Sequence, residues 1–252
     1  MMFELRKTLV FAIALGFAAT SLGACERDAV EVQPPALTLV GKNVCLGCSL
    51  KGSDGAQAQC SAFGHTHALE IRRAIGPNDE ELPRLVGQTV HYLQNDQSAA
   101  LVKGEEYHGE LVQVHGRLFG SASTLEVKEF PAPSDELSTA AGDAPKDVHQ
   151  ETREVVLIGQ NECLGCSLKG SDKAASQCSD FGHTHTLRVE KAQDAEGQTL
   201  DEFIGRRVHY LANDKSAPLL KGEEFHGDRV QVKGRLFANS ATLEVAEFAA
   251  PQ

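Results

Sequence analysis

The sequence predicts a mainly β protein: two tandem small five-stranded barrels, each with one short helix and a Cys-rich loop. Three observations carry this. The chain of 252 residues repeats itself at an offset of 118 positions. Each copy holds five short segments of alternating apolar and polar residues, the signature of half-buried strands. Between the copies lies a stretch rich in proline and acidic residues with no apolar period.

In the first copy the strands are predicted over Leu37–Val44, His65–Ala74, Thr89–Leu93, Leu111–Leu118 and Thr124–Phe130, and the second copy repeats them. A helix fits between the third and fourth strands, over Ser98–His108, with Gly109 at its C-terminal cap. The order β-β-β-α-β-β is that of an OB-like five-stranded barrel. The repeats are also similar to small OB-like domains of exported bacterial proteins. The segment Gly104-Glu105-Glu106-Tyr107-His108-Gly109 leading into Val112-x-Val114-x-Gly116 carries that resemblance. It speaks to the fold alone.

The N-terminus gives the compartment. Arg6 and Lys7 precede an apolar run, Leu9–Ala19, of signal-peptide length and too short to span a bilayer as a helix. The run leads into Leu22-Gly23-Ala24-Cys25, which resembles a bacterial lipobox. The resemblance implies cleavage after Ala24, acylation of Cys25 and a stable membrane anchor. Residue 26 is Glu26 rather than an aspartate, so the periplasmic face of the outer membrane is the preferred address within the bacterial envelope. The expected organisation is a signal peptide over 1–24, a tether over 25–36, repeat 1 over 37–130, a disordered linker over 131–152 and repeat 2 over 153–248. Such a linker lets the two domains move independently.

The formal net charge is −11, tryptophan is absent and there are only three tyrosines. An acidic chain poor in stacking residues argues against nucleic acid as a partner. No phosphate-binding glycine loop, nucleophile elbow or H-E-x-x-H helix is present. The sequence names no protein partner.

The chemistry lies in a cysteine–histidine array present twice. Cys45-x2-Cys48-x11-Cys60-x4-His65-x-His67 reappears as Cys163-x2-Cys166-x11-Cys178-x4-His183-x-His185. From Cys45 to Ile71, 20 of 27 positions are identical in the second copy, and 18 of 25 are from Asn95 to Phe119; from Arg72 to Leu93 only 7 of 22 are, so the array and the later Gly-Glu-Glu segment have been held while the stretch between them drifted. Three thiols and an imidazole suit one zinc ion per repeat, with copper(I) the alternative for a sulfur-rich exported site. On the expected strand His65 and His67 share a face at the barrel mouth, one of them completing the ligand set. Cys45-Leu46-Gly47-Cys48 reads as a knuckle in which the glycine allows a tight turn. Ferredoxin spacings do not match, and Ser49 and Ser167 stand where covalent haem requires histidine.

Two other readings remain open. Exported cysteines commonly pair as disulfides, which would make a disulfide-stabilised binding module, although three cysteines per repeat leave one unpaired. Thiol redox chemistry or metal-assisted hydrolysis through the spare histidine is the enzymatic reading. Redox C-x-x-C pairs open helices, and this segment looks too glycine-rich for one. The leading reading is therefore a lipid-anchored metal-binding protein, its site structural or exchangeable, without catalysis of its own. Of the other duplicated residues, His91 and His209 are expected to be hydrogen-bonded strand histidines. His108 and His226 are expected to cap a helix end, and Glu105, Glu106, Glu223 and Glu224 to form a solvated face.

Overall fold

The computed structural model describes residues 34–102, 105–131, 151–220 and 223–250. The expected signal peptide, Cys25 and nearly all of the tether and linker lie outside the described residues. In the first repeat β1 (Ala36–Cys45), β2 (His67–Ile75), β3 (Thr89–Tyr92), β4 (Leu111–Phe119) and β5 (Thr124–Glu129) close into a barrel in the order β1-β2-β3-β5-β4. Strand β1 pairs with both β2 and β4 and so seals it; only the β3–β5 pairing is parallel. The second repeat builds the same barrel from β6 (Thr152–Cys163), β7 (His185–Asp194), β8 (Arg207–Tyr210), β9 (Arg229–Phe237) and β10 (Thr242–Ala249).

The expected alternation is what fills each barrel. Leu39, Leu69, Ile71, Val90, Val112, Val114, Leu125 and Val127 meet inside the first, Leu157, Leu187, Val189, Val208, Val230, Val232, Leu243 and Val245 inside the second. The long first strand bends to serve two neighbours at a bulge between Val40 and Gly41. A Cβ on Gly41 would stand 2.3 Å from the Glu70 carbonyl oxygen, so only glycine lets β1 and β2 approach there.

Helices differ more from expectation. The Cys-rich segment is a nine-residue helix α1 (Leu46–Asp54) followed by one turn α2 (Cys60–Phe63). Its twin is α4 (Leu164–Asp172) and α5 (Cys178–Phe181). The helix expected over Ser98–His108 contracts to α3 (Ala99–Val102), matched by α6 (Ala217–Leu220). Asn95 Oδ1 accepts the Ser98 N–H at 2.9 Å and starts that turn, whereas Gly109, expected to cap the helix, lies beyond its end at Val102 and uses its φ of +80° in a separate turn. No helix among the described residues is long and apolar enough to cross a membrane.

The repeats do not stand apart. The described residues of both repeats belong to one compact unit, and the contact between barrels is reciprocal. Leu46, Leu50, Ala56 and Ala58 pack on Leu211 and Phe237 of the other repeat; Leu164, Leu168 and Ala174 pack on Leu93, Phe119 and Ala122. The Gln59 N–H donates to the Ala212 carbonyl at 3.0 Å, the Gln177 N–H to that of Gln94 at 3.1 Å. Buried Glu126 binds Arg117 and Lys128 in its own repeat and accepts the Ala175 N–H of the other at 2.7 Å. Glu244 binds Arg235 and accepts the Gln57 N–H. Between the barrels, His91 and His209 stack with ring centroids 3.4 Å apart and planes 4° from parallel. The independent motion expected from the linker composition is thus replaced by a joined pair. Apolar faces on α1 and α4, which neither barrel can cover alone, bury against the neighbour.

Candidate metal centre

Each centre is assembled by the junction between the first strand and α1. Cys45 ends β1 and stands at the N-cap of α1 with extended backbone (φ −69°, ψ 108°), and its side chain makes no capping hydrogen bond. The sulfur is therefore left to other partners. Cys48 sits in the first turn of α1 and is exposed. The Leu46 N–H donates to the Thr66 carbonyl at 3.0 Å, which ties the helix start to the chain entering β2. Cys60 opens α2 and returns its sulfur to 3.5 Å from Cys45 Sγ. His65 follows Gly64, whose φ of +84° turns the chain, and its Nδ1 lies 3.8 Å from Cys48 Sγ.

The donor atoms of Cys45, Cys48, Cys60 and His65 all lie within 4.8 Å of one another, as do those of Cys163, Cys166, Cys178 and His183. Zinc–sulfur bonds of about 2.3 Å in a tetrahedron place neighbouring sulfurs roughly 3.8 Å apart. The Cys45–Cys60 and Cys163–Cys178 separations of 3.5 Å fit that spacing. The six cysteines among the described residues are free thiols, and no disulfide forms between them. The two Cys3His groups, one per repeat, fit a metal ion.

Burial also governs the charge on the sulfurs. Burial pushes the Cys60 thiol up to about 12, and the neighbouring Cys48 and Cys45 add to it. Burial likewise raises Cys163 to about 12, and it raises Cys45 and Cys178. Sulfurs crowded in this way ionise together only when a cation neutralises them. A redox thiol needs the opposite shift. The C-x-x-C segment is nevertheless helical, so glycine content was a poor reason to set redox chemistry aside. Gly47 serves no tight turn. It leaves room for the third sulfur, since a Cβ there would stand 2.6 Å from Cys60 Sγ; at Gly165 the distance to Cys178 Sγ is 2.5 Å.

The two histidines of each array part company. Strand β2 begins at His67, so His65 precedes the strand, is exposed and meets the thiols. His67 is buried: its Nδ1–H donates to the Leu101 carbonyl at 3.1 Å, and its Nε2 lies 3.0 Å from Nδ1 of His108. His185 repeats this with Leu219 at 3.2 Å and His226 at 2.9 Å. His67 and His185 are therefore not brought among the thiols. Burial, aided for His67 by the neighbouring His108, holds both below the usual histidine range. His108 and His226, read from sequence as helix caps, are instead their partners; their identity across copies that differ at Tyr107 and Phe225 was the available signal.

His91 and His209 are hydrogen-bonded strand residues as expected, but across the repeat boundary. Nε2–H of His91 donates to the Ser240 carbonyl at 3.0 Å and that of His209 to Ala122 at 2.8 Å. Glu105, Glu106, Glu223 and Glu224 are exposed. Both metal centres border one cavity of about 590 Å3 between the repeats, lined by Cys60, His65 and His67 from one side and Cys178, His183 and His185 from the other. Compared with known protein families, curated proteins and solved structures, the chain shows no significant match to any.

Proposed function

We propose that this protein is a lipid-anchored envelope protein that holds one exchangeable zinc ion in each repeat. The observation that carries the reading is the pair of four-donor groups, each with two exposed members, Cys48 and His65 or Cys166 and His183, beside a shared cavity. Four protein donors close the coordination of a zinc ion, and the exposure of Cys48 and His65 gives the route by which that ion exchanges with solvent. The envelope address rests on the lipobox-like Leu22-Gly23-Ala24-Cys25. Copper(I) is the second reading, favoured by the three sulfurs gathered at each centre.

The test is elemental analysis of the soluble form, residues 26–252, purified from the periplasm, with a free-thiol count after denaturation. About two equivalents of one metal and six thiols support the reading and name the ion. Absence of both metal and thiols defeats it. Cys60→Ser separates the two roles: loss of uptake with the fold intact marks an exchangeable site, and unfolding of the repeat marks a structural one. Cys25→Ala tests the anchor, because it should move the protein from the membrane fraction to the soluble periplasm.

A further inference from the structure

A histidine pair in each repeat is left over once the Cys3His group has taken its ligands. His67 donates its Nδ1 proton to the Leu101 carbonyl, which fixes the tautomer and leaves the Nε2 lone pair facing outward. A backbone acceptor on one ring nitrogen is how proteins orient a histidine that coordinates a metal through the other. That lone pair faces Nδ1 of His108 at 3.0 Å; in the second repeat His185 faces His226 at 2.9 Å. Two imidazole nitrogens on one tetrahedral zinc stand roughly 3.3 Å apart. To admit an ion the rings open by a few tenths of an ångström and tilt toward it, and the bridging proton leaves His108 Nδ1 for solvent while Nε2 of the same ring takes one up, so both imidazoles stay neutral.

His108 and His226 are exposed, so an ion arriving from solvent reaches the pair without any opening of the barrel. The His65 ring centroid lies 6.4 Å from that of His67 and 6.1 Å from that of His108, which sets the pair beside the thiol group. The second repeat keeps these separations at 6.5 and 6.1 Å.

We propose that His67 with His108, and His185 with His226, form a second metal position in each repeat. It is a two-imidazole seat for zinc or copper(I) beside the Cys3His centre. This inference goes beyond the function proposed above and fails separately from it. The seat is weaker than its neighbour because it has two protein ligands rather than four, and it gives an incoming ion a first foothold one ring away from the thiolates.

Zinc titration of residues 26–252 tests it, with cobalt(II) absorption as a second readout. The expected result is about four zinc equivalents per chain in two affinity classes. The double variant His108→Gln/His226→Gln should lose the weaker two and keep the thiolate-to-cobalt absorption. Both substituted residues are exposed, and unchanged far-ultraviolet circular dichroism confirms the fold. Saturation of the wild type at two equivalents overturns the second position, as does a double variant that still takes four. A wild type without thiolate-to-cobalt absorption defeats the Cys3His reading alone, and loss of equivalents in the double variant still decides the histidine pair.

Discussion

Adding one methyl group at Gly47 separates the metal centre from the fold that carries it. A Cβ there would stand 2.6 Å from Cys60 Sγ and 3.0 Å from Ala58 Cβ, whereas comfortable contacts between such atoms begin at about 3.5 Å. Without metal, the Cys60 thiol can rotate away, and the apo protein carries only the tight approach to Ala58. With metal, the sulfur has to stay, and a further overpacking of about 1–3 kcal/mol falls on the bound state. That converts to zinc binding weaker by roughly 5- to 150-fold. Gly52→Ala is the control in the same helix, because a Cβ there meets nothing within 4 Å. It should leave affinity unchanged and stabilise α1 by up to about 1 kcal/mol. Competition against a chromophoric chelator gives the affinities, and thermal melts of the apo forms give the stabilities. Gly47→Ala binding zinc as tightly as wild type would refute the assignment of Cys60 as a ligand.

Three other perturbations address the joint between the repeats. Burial drives the stacked histidines down, His209 to about 4 and His91 in the same direction with help from the His209 ring. The unfolded chain therefore binds protons that the folded one refuses, and stability falls as pH drops from about 6.5 toward 4. His209 alone accounts for about 3 kcal/mol at the lower end. Urea melts across that range should show a shallower loss in His209→Gln, and identical slopes count against it. At Glu126, burial opposes ionisation, but Arg117, Lys128 and the Ala175 N–H together hold the carboxyl below its usual range. Glu126→Ala leaves Arg117 without its carboxylate and should cost about 3 kcal/mol, a fall in Tm of roughly 6–12 °C by calorimetry. Residues 34–131 alone expose Leu93, Phe119 and Ala122 together with the apolar face of α1. Sedimentation should find that fragment a homodimer using the same reciprocal contact, and a stable monomer contradicts this.

The barrel was legible because its signal is local. Alternation over Leu111–Leu118 or Thr124–Phe130 reports which side of a strand meets the core, and the structure moves those strand ends by one residue each. The three thiols of each group were legible too, since cysteines at fixed spacing reappear 118 positions on. What escaped depends on contacts distant in sequence. Glycine content argued against a helix over Leu46–Asp54, yet Leu46 and Leu50 are held by Leu211 and Phe237 of the other repeat. Packing overrode propensity there. The choice between His65 and His67 turned on a strand start two residues later than alternation suggested. The His67–His108 pairing joins residues 41 positions apart with no periodic relation.

Joining the halves through one polypeptide has an evolutionary consequence. Two identical subunits meeting by this reciprocal contact would have to mutate in unison, each change appearing on both sides at once. A single chain is released from that rule, and the sequence has used the freedom close to the sulfurs. Where the first repeat has Ala58, the second has Ser176, whose hydroxyl lies 4.0 Å from Cys178 Sγ and donates to the Gly165 carbonyl. A dipole beside one cluster and a methyl beside the other make twins of common descent chemically unequal, so that one seat can specialise while its sibling keeps the ancestral task.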